Sequence, residues 1–459
     1  MSAPAAFPSL RMRVFLLAYR LIWTLFLPIG LAYLALRARK DREYLRHLPE
    51  RFGLIRPCRK GAVWVHAVSI GEFRSALPLI RRLMAQGRAV HVTVFTPAGR
   101  RAAQQDLAQD IAAGRASLSW VPLELAWGWR LFLRRLAPQY GLVMEVEIWP
   151  RMIASCRVLG VPLLACNAQY PARSFQRDTQ KTPLRAELMQ GFAGALVKSD
   201  LQRQRFVAVG QANVAITGEL RFDQPLPEAL IAGGCALRVA WGAGRPVLVF
   251  ASVVQGEEAL FLDAYRLLCT SHAAAGLPRP FCIFVPRAPE RFEPAAEMIK
   301  ARGIAYLARS SALDAGFAPV ADFTGIDLLL GDSLGEMYGY LAAADRVIVG
   351  GGYTPKGAHN ISEALALGKP VWTGPHIWTI EYPAHEAREA GVLRQTAATA
   401  QGLHDALAPG APAPASAAQI AQFFAQHSGA AERTLAAIPQ LLAQASGKAR
   451  AKRVTEAQK

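Results

Sequence analysis

Metal-binding patterns are absent from this sequence of 459 residues. Its cysteines include no C-x-x-C pair, and none has the spacing to histidine that is typical of zinc ligands. These absences argue against a structural zinc ion. Most of the cysteines fall in apolar strand or helix patterns, which predicts buried thiols in a reducing compartment. The six are Cys58, Cys156, Cys166, Cys235, Cys269 and Cys282.

Acidic residues are scarce relative to basic ones. The chain has 34 Asp and Glu against 52 Lys and Arg, which gives a formal net charge of +18 at pH 7. Such a balance favours acidic partners: nucleic acid, anionic lipid or phosphorylated substrates. The sequence lacks an aromatic-studded RNA-binding signature and a basic recognition helix. Because basic residues are dense beside a hydrophobic N-terminal segment, we expect an anionic membrane surface as partner and no nucleic acid.

The N-terminal segment is apolar over residues 14–36, with interruptions at Arg20 and Pro28. At about 1.5 Å per residue, a helix of this length is able to cross a hydrocarbon core of roughly 30 Å. No small-residue cleavage site precedes the charged stretch that follows, which argues against a signal peptide. The basic cluster at 37–42 predicts a cytoplasmic location at the inner membrane. Basic residues before the run leave an interfacial helix open as the alternative.

Beyond this segment, short β-branched runs alternate with helical patterns, which indicates parallel sheets in an α/β fold. Two such blocks predict two Rossmann-like domains facing a cleft, with ligands at the carboxyl ends of the strands. The predicted strands are 63–68, 90–95, 142–145, 162–166, 195–198, 214–217, 246–251, 281–285, 328–330, 347–350 and 371–373. The predicted divisions are a membrane anchor with its basic flank (1–40), a first domain (41–225), a linker (226–245), a second domain (246–445) and a basic tail (446–459).

Residues 347–376 predict a buried strand, a glycine loop, a short helix that ends at Gly368, and a further strand that begins after Pro370. Glycines let backbone N–H groups approach a phosphate, and a helix N-terminus favours negative charge. Asn360 and Glu363 have the spacing of a capping box, so they could simply cap the helix. Lys356 and His359 crowd the same loop, which favours a nucleotide site over a plain cap.

Glu72 follows the first predicted strand and lies in the first turn of an amphipathic helix. One interpretation is that it only complements the helix dipole, an effect of about 0.3–1 kcal/mol. The other is that it acts as a general base at the end of the strand. A helix terminus lowers the pKa of a carboxyl, whereas a base gains from a raised one, so basicity would depend on desolvation.

A second acidic pattern, Glu145-Val-Glu147, also follows a predicted strand. Two carboxylates there could bind a metal, but the sequence has no Asp-x-Asp triplet of the sort that metal-dependent sugar transferases use. The pair is interpreted as hydrogen-bonding and charge-orienting groups near an acceptor, with metal-independent chemistry.

An ordered set of motifs resembles the 3-deoxy-D-manno-octulosonic acid (Kdo) transferases, which are glycosyltransferases of the GT-B architecture acting on lipid A precursor. The resemblance runs from the N-terminal segment to about residue 395. The motifs are YLRHLPERFG (44–53), VHAVSIGE (65–72), TVFTP (93–97), EVEIWP (145–150), NA (167–168), GELRFD (218–223), VPRAPERF (285–292), GEM (335–337) and GAHNISE (357–363).

The resemblance implies inverting transfer of Kdo from CMP-Kdo to a lipid A precursor (lipid IVA) in lipopolysaccharide core biosynthesis, without a cofactor or a metal. By carry-over, Glu72 is the general base that deprotonates the acceptor hydroxyl, and Glu145 and Arg221 stabilise the transition state. The first domain would then bind the acceptor and the second the donor. The positions implied to hold CMP are Pro286, Arg287, Gly335, Glu336, Met337, Asn360, Ile361, Ser362 and Glu363.

Four positions depart from the family pattern. The family usually has lysine at Arg221 and histidine at Ala288, and a Gly-Ser-Thr-His run is replaced by residues ending at Val254. The asparagine after Trp-Pro is Arg151. These departures leave the exact donor, the acceptor and the number of sugars open. Two alternatives remain: another GT-B enzyme, such as a different nucleotide-sugar transferase or an epimerase, and a non-catalytic paralogue that binds lipid or nucleotide.

Overall fold

The computed structural model describes residues 7–145, 147–241, 244–412 and 414–457, with side chains as far as residue 447. Residues 1–6 of the predicted anchor, 242–243 of the predicted linker and the side chains of the predicted tail beyond 447 lie outside the described residues. The chain forms two compact units, one from residues up to 224 together with those from 428 onward, the other from residues 225–427.

The first unit contains a parallel sheet of seven strands in the order β3-β2-β1-β4-β5-β6-β7. Every residue of β1, β4, β5 and β6 is buried, which is why these strands are mostly apolar rather than alternating; His66 and Asn167 are the polar exceptions. The strands are β1 (Val63–His66), β2 (Val90–Val94), β3 (Ala116–Trp120), β4 (Gly141–Met144), β5 (Leu163–Ala168), β6 (Gly194–Val197) and β7 (Val214–Ile216).

The second unit repeats this arrangement, with seven parallel strands in the order β10-β11-β9-β8-β12-β13-β14. In both sheets the chain reverses its direction of travel next to the first strand, between β1 and β4 and between β8 and β12. Such switch points are where open α/β sheets bind ligands. The strands are β8 (Val247–Val253), β9 (Phe281–Pro286), β10 (Tyr306–Ala308), β11 (Leu328–Leu330), β12 (Arg346–Val349), β13 (Val371–Thr373) and β14 (Leu393–Gln395).

Helices connect the strands and cover the sheets. Those of the first unit are α1 (Leu10–Leu25), α2 (Leu27–Ala38), α3 (Ile70–Ala85), α4 (Pro97–Asp106), α5 (Ala108–Ala112), α6 (Ala126–Leu136), α7 (Pro150–Leu159), α8 (Ala172–Gln180), α9 (Pro183–Met189), α10 (Asp200–Ala208) and the C-terminal α20 (Ala430–Ala457). Those of the second unit are α11 (Glu228–Ala240), α12 (Glu258–Ala274), α13 (Phe292–Ala301), α14 (Arg309–Ala312), α15 (Met337–Ala343), α16 (Ser362–Ala366), α17 (Glu381–Glu389), α18 (Ala400–Leu407) and α19 (Ala417–His427).

All eleven predicted strands are present among the described residues, and three further strands were missed. The missed strands β3, β10 and β14 all lie at a sheet edge. Edge strands are less covered by helices, so their sequences carry a weaker apolar signal; no residue of β10 is fully buried. The two parallel-sheet α/β domains expected from the sequence are therefore confirmed.

The unit boundaries differ from the predicted ones at two places. The predicted linker contains a regular helix, α11, whose Gly234 packs so closely on α15 that a Cβ there would lie 2.1 Å from the Gly339 carbonyl oxygen. The residues from 428 belong to the first unit, because Ile438 and Leu441 of α20 are buried in its core. Periodicity predicts an amphipathic helix but does not say which sheet it covers.

The N-terminal segment folds as the two helices α1 and α2, which meet at an angle of 55°. Within the described residues, no single helix is long and apolar enough to cross a membrane, although the bent pair passes that test by length and composition. Met12 and Leu16 are buried in the core of the first unit. A continuous spanning helix is thus not confirmed.

The cysteines are unpaired, and four are buried, as the sequence predicted. Cys58 is half-buried, whereas Cys235 is exposed on α11. The described part of the chain contains no cluster of three or more His, Cys, Asp or Glu side chains able to hold a metal ion. Metal independence stays a prediction.

Candidate active site

Glu72 lies where β1 turns into α3, beside the switch point of the first sheet. Ser69 is the N-cap of the helix, and its hydroxyl accepts from the Glu72 N–H at 3.4 Å. The Glu72 carboxylate reaches back to accept from the Val68 N–H at 2.8 Å and from the Ser69 hydroxyl at 3.2 Å. This reciprocal pair is a capping box. Glu72 therefore stabilises the start of α3, as one of the two interpretations of the sequence proposed.

The environment of Glu72 also changes the acidity of its carboxyl. Burial raises the pKa of its carboxyl to about 7; the hydrogen bond from Val68 opposes this effect, while Glu147 and Glu145 add to it. A general base works best when its pKa lies near the operating pH. The effect of burial on the pKa of Glu72 thus outweighs the opposite effect of the helix terminus.

Glu145 directly follows β4, on the other side of the same switch point. Its backbone has φ +57°, in the left-handed region that a residue with a side chain rarely adopts. Strain of this kind persists only when surrounding contacts fix it, and it is concentrated at functional sites. The Glu145 N–H donates to the Cys166 carbonyl at 2.9 Å. The side chain is thereby held at the carboxyl edge of the sheet.

Three polar residues that the sequence reasoning did not single out as site residues surround Glu145: Asn167, Lys198 and Glu219. The Lys198 ammonium lies 2.8 Å from one Glu145 oxygen and 2.7 Å from Glu219. The Asn167 amide donates to both carboxylates, at 3.0 and 2.8 Å. They come from the ends of β5 and β6 and from the segment after β7. Their positions at or just after the ends of predicted strands are the sequence feature that could have identified them.

Arg221, implied as a stabiliser, lies at the margin of this cluster. Its guanidinium is 3.8 Å from Glu145, and its side chain is 28% exposed, against 1% for Lys198. Burial acts to raise the pKa of Glu219, but Lys198 and Arg221 outweigh it and lower the pKa to about 2. Of the two cations, Lys198 lies at the shorter distance from Glu145.

Glu147 and Trp149 extend the site towards β1. The Trp149 indole N–H donates to Glu147 at 2.6 Å, and the indole ring packs edge-on against His66 with centroids 5.3 Å apart. Burial raises the pKa of Glu147. The two carboxylates of the Glu145-Val-Glu147 pattern therefore have different surroundings. Glu145 contacts cations, whereas Glu147 contacts an indole and helps to raise the pKa of Glu72.

In the second unit, the glycine loop follows β12 at the switch point next to β8. Its backbone is held by Glu257, a fully buried carboxylate that accepts from the N–H groups of Gly351 at 2.8 Å, Tyr353 at 3.0 Å and Val254 at 3.1 Å. The expectation that these loop amides bind a phosphate is wrong for Gly351 and Tyr353, because a carboxylate already occupies them. Gly351 has φ +86°, and a Cβ there would lie 2.4 Å from the Gly357 carbonyl oxygen, so the glycines serve close packing.

His359 and Arg287 provide side-chain chemistry beside this loop. Arg287 is exposed at the end of β9, directly after Pro286. Burial lowers the pKa of His359 to about 4, and the nearby Arg287 contributes to the effect, so the imidazole is neutral. Its Nε2 is buried and has no hydrogen-bond partner among the described residues. A buried imidazole nitrogen without a partner suits a ligand contact.

The capping arrangement predicted at Asn360 is present in a modified form. The Asn360 side-chain oxygen accepts from the Ser362 N–H at 3.0 Å, and α16 begins at Ser362. Ile361 and Ser362 are buried, so a ligand would meet their backbone. Glu363 is half-buried in the first turn and lies close enough to Tyr338 to help raise the pKa of that phenol.

The remaining predicted donor residues lie in the turn before α15. Gly335 has φ +83°, and Glu336 is bound by both nitrogens of the Arg309 fork, at 2.6 and 2.8 Å. The Arg309 side chain is almost buried. Glu336 therefore fixes the turn through Arg309, which leaves Met337 and the backbone to face a ligand. Arg309 was not identified from the sequence, since it is distant along the chain and lies in no motif.

Comparisons with known proteins identify the family of this chain. The family model described as 3-deoxy-D-manno-octulosonic-acid transferase (kdotransferase) matches residues 46–224. A Kdo transferase of Bordetella pertussis is 37% identical over 402 residues, which cover 85% of this chain and 90% of the relative. The chain belongs to the 3-deoxy-D-manno-octulosonic acid transferase family. The Kdo transferase of Haemophilus influenzae is 27% identical over 364 residues, covering 78% of this chain and 81% of that protein.

Membership of this family makes the protein a glycosyltransferase. Its fold is similar to that in the crystal structure of Glycyrrhiza uralensis UGT73P12 complexed with glycyrrhetinic acid 3-O-monoglucuronide, with a TM-score of 0.57 at 10% identity, over 86% of this chain and 98% of that one. At such identity the likeness shows the fold alone, that of two parallel-sheet α/β domains. The family resemblance inferred from the ordered motifs is confirmed.

Proposed function

We propose that this Kdo transferase moves Kdo from CMP-Kdo to a hydroxyl of a lipid A precursor at the cytoplasmic face of the inner membrane. The observation that carries the proposal is Glu72, a carboxyl at the switch point of the first sheet whose pKa is raised to about 7. Such a group is about half ionised at neutral pH and is able to accept the proton of an attacking hydroxyl.

Transfer with inversion requires a base on the acceptor and stabilisation of positive charge on the donor sugar. In the proposed reaction Glu72 accepts the proton of the acceptor hydroxyl as its oxygen bonds to the anomeric carbon and CMP departs. Glu145, paired with Lys198 at 2.8 Å, is a fixed carboxylate suited to the sugar's developing positive charge. Arg287 has the fork geometry to pair with the phosphate or the sugar carboxylate.

A cavity of about 750 Å³ in the first unit supports a phosphorylated, acylated acceptor. It is bordered by α1, α8, α9 and the segment that includes Ile148 and Pro150, next to the Glu147–Trp149 pair. Its walls combine cationic and apolar side chains, the combination that an anionic lipid head with acyl chains requires. The charged members are Arg11, Arg177, Lys181, Arg185 and Glu187, and the apolar ones include Phe15, Leu184 and Leu188.

The bent helix pair supports attachment to a membrane surface. One side of α1 is buried in the core of the first unit, whereas large apolar side chains on the rest of α1 and α2 are exposed. Flanking basic residues add attraction to anionic lipid. We therefore favour an interfacial location over a spanning one. The exposed apolar side chains are Leu10, Val14, Leu17, Leu21, Ile22, Leu25, Phe26, Ile29, Tyr33 and Leu36.

The test is a transfer assay with the detergent-solubilised protein. Lipid A precursor and CMP-Kdo generated in situ are the substrates, and the lipid product is read by mass spectrometry. We expect a mass gain in whole Kdo units, which also counts the sugars added. No product from protein that still binds CMP would contradict the proposed donor or acceptor, and would direct attention to the departures at Val254 and Ala288.

A further inference from the structure

The cluster around Glu145 contains a cation that no motif predicted. The Lys198 side chain is 1% exposed, and its ammonium lies 3.0 and 2.8 Å from the two Glu145 oxygens and 2.7 Å from Glu219. An ammonium group has three donors, and a buried one requires acceptors for them. Here all the contacts are carboxylate oxygens, from two different residues.

Without Lys198, the two carboxylates would repel each other. Both accept from the same Asn167 amide nitrogen, so they are close neighbours. Carboxylates at such a separation do not both stay ionised unless a cation lies between them. Arg221 is the alternative cation, but its 3.8 Å separation from Glu145 is longer than a hydrogen bond.

We propose that Lys198 is a positioning residue for transfer, which pairs with both oxygens of Glu145 and directs this carboxylate towards the carboxyl edge of the sheet. The inference rests on the proposed function, since Glu145 acts there on the donor sugar. The role belongs to Lys198 rather than Arg221 because Lys198 is buried and bonds both oxygens of Glu145. Lys198 is not expected to contact the substrate.

Loss of the Lys198 charge should change how the site responds to pH. The charged or titratable groups around Glu145 are Lys198, Glu219, Arg221, Glu147, Glu72 and Cys166. When Lys198 is replaced by a neutral side chain, the Glu145–Glu219 pair is expected to retain one proton that the parent protein does not hold. The pair then loses this proton only at higher pH.

The experiment compares the parent with Lys198→Gln and with Lys198→Gln/Glu219→Gln, using Lys300→Gln on the exposed face of α13 as control. kcat and KM for CMP-Kdo are measured across neutral pH. For Lys198→Gln we expect kcat to fall at least about tenfold with little change in KM, and the rising limb of kcat against pH to move upwards. The double variant lacks the second carboxylate and should return this limb towards the parent's position.

Parent-like kcat and pH dependence in Lys198→Gln would overturn the proposal. If that variant does not fold, the double variant is compared with the parent. A rising limb of kcat that lies at higher pH in the double variant, although the second carboxylate is gone, would contradict charge balance.

If the parent itself transfers no Kdo, the proposed function fails, but the dependence of Tm on pH still tests the role of Lys198. Relative to the parent, the Tm of Lys198→Gln should fall as pH rises, because its carboxylate pair has a raised pKa whereas the pKa of Glu219 in the parent is lowered. Equal slopes would refute the role.

Discussion

Replacement of Glu72 by glutamine separates its two roles, since glutamine keeps the shape of the side chain and removes its charge. A pKa of about 7 instead of the ordinary 4.5 corresponds to roughly 3 kcal/mol. Because the folded-state pKa is the higher one, this stability is present below pH 4.5 and is lost as the pH rises through 7. Above pH 7 the parent therefore holds a charge that destabilises the folded state.

The substitution removes that charge but weakens the capping box. The Val68 N–H loses part of its acceptor, at a cost of about 1–3 kcal/mol. The two effects nearly cancel at pH 8, so the Tm of Glu72→Gln should equal or exceed that of the parent. Transfer should fall by about 100- to 10,000-fold, which is the usual contribution of a general base.

The assay is kcat against pH by mass spectrometry of the lipid, with Tm measured at pH 5 and pH 8. In the parent, kcat should rise with a midpoint near pH 7, and Glu72→Gln should lose this dependence. Glu228→Gln is the matched control: Glu228 occupies the first turn of α11 and is exposed, so kcat should be unchanged. Retention of more than about a tenth of kcat in Glu72→Gln would refute its role as base.

Three further outcomes are expected. Glu257→Gln should raise the Kd for CMP, measured by calorimetry, because the amides of the glycine loop lose a shared acceptor; an unchanged Kd and Tm would show that the loop does not depend on Glu257. Transfer should survive an excess of EDTA, and an activity that is lost and then restored by a divalent ion would contradict metal independence. Leu17→Gln combined with Leu21→Gln should reduce flotation with anionic liposomes without lowering Tm, because both side chains are exposed; undiminished flotation would count against the bent helix pair as the membrane contact.

The sequence predicted the parts of the fold that depend on local burial. Apolar runs that are covered on both faces, such as β4 and β12, were identified within a residue or two of their bounds. Three of the four edge strands were missed; in β10 and β14 half-exposed residues carry little apolar signal. The assignment of α20 to the first unit also required the structure, since an amphipathic pattern does not name its partner.

The candidate site divides in the same way. Glu72 and Glu145 were found because catalytic side chains of parallel sheets follow the strands, and strand ends are visible in the sequence. Lys198 and Glu257 were not identified, although Lys198 ends a predicted strand and Glu257 lies near one. Lys198 and Glu257 matter because of the carboxylates and amides that they contact. These partners are distant along the chain and come close only in the folded structure.

The sequence by itself determined the family, the α/β class and the strand ends at which chemistry takes place, because these follow from local patterns and ordered motifs. Only the tertiary structure determined the acidity of Glu72 and the ion pairs around Glu145. Burial raises the pKa of Glu72 to about 7, and Lys198 pairs at 2.8 and 2.7 Å with the carboxylates of Glu145 and Glu219. Both effects depend on removal from water and on distances of a few ångströms between residues from separate strands.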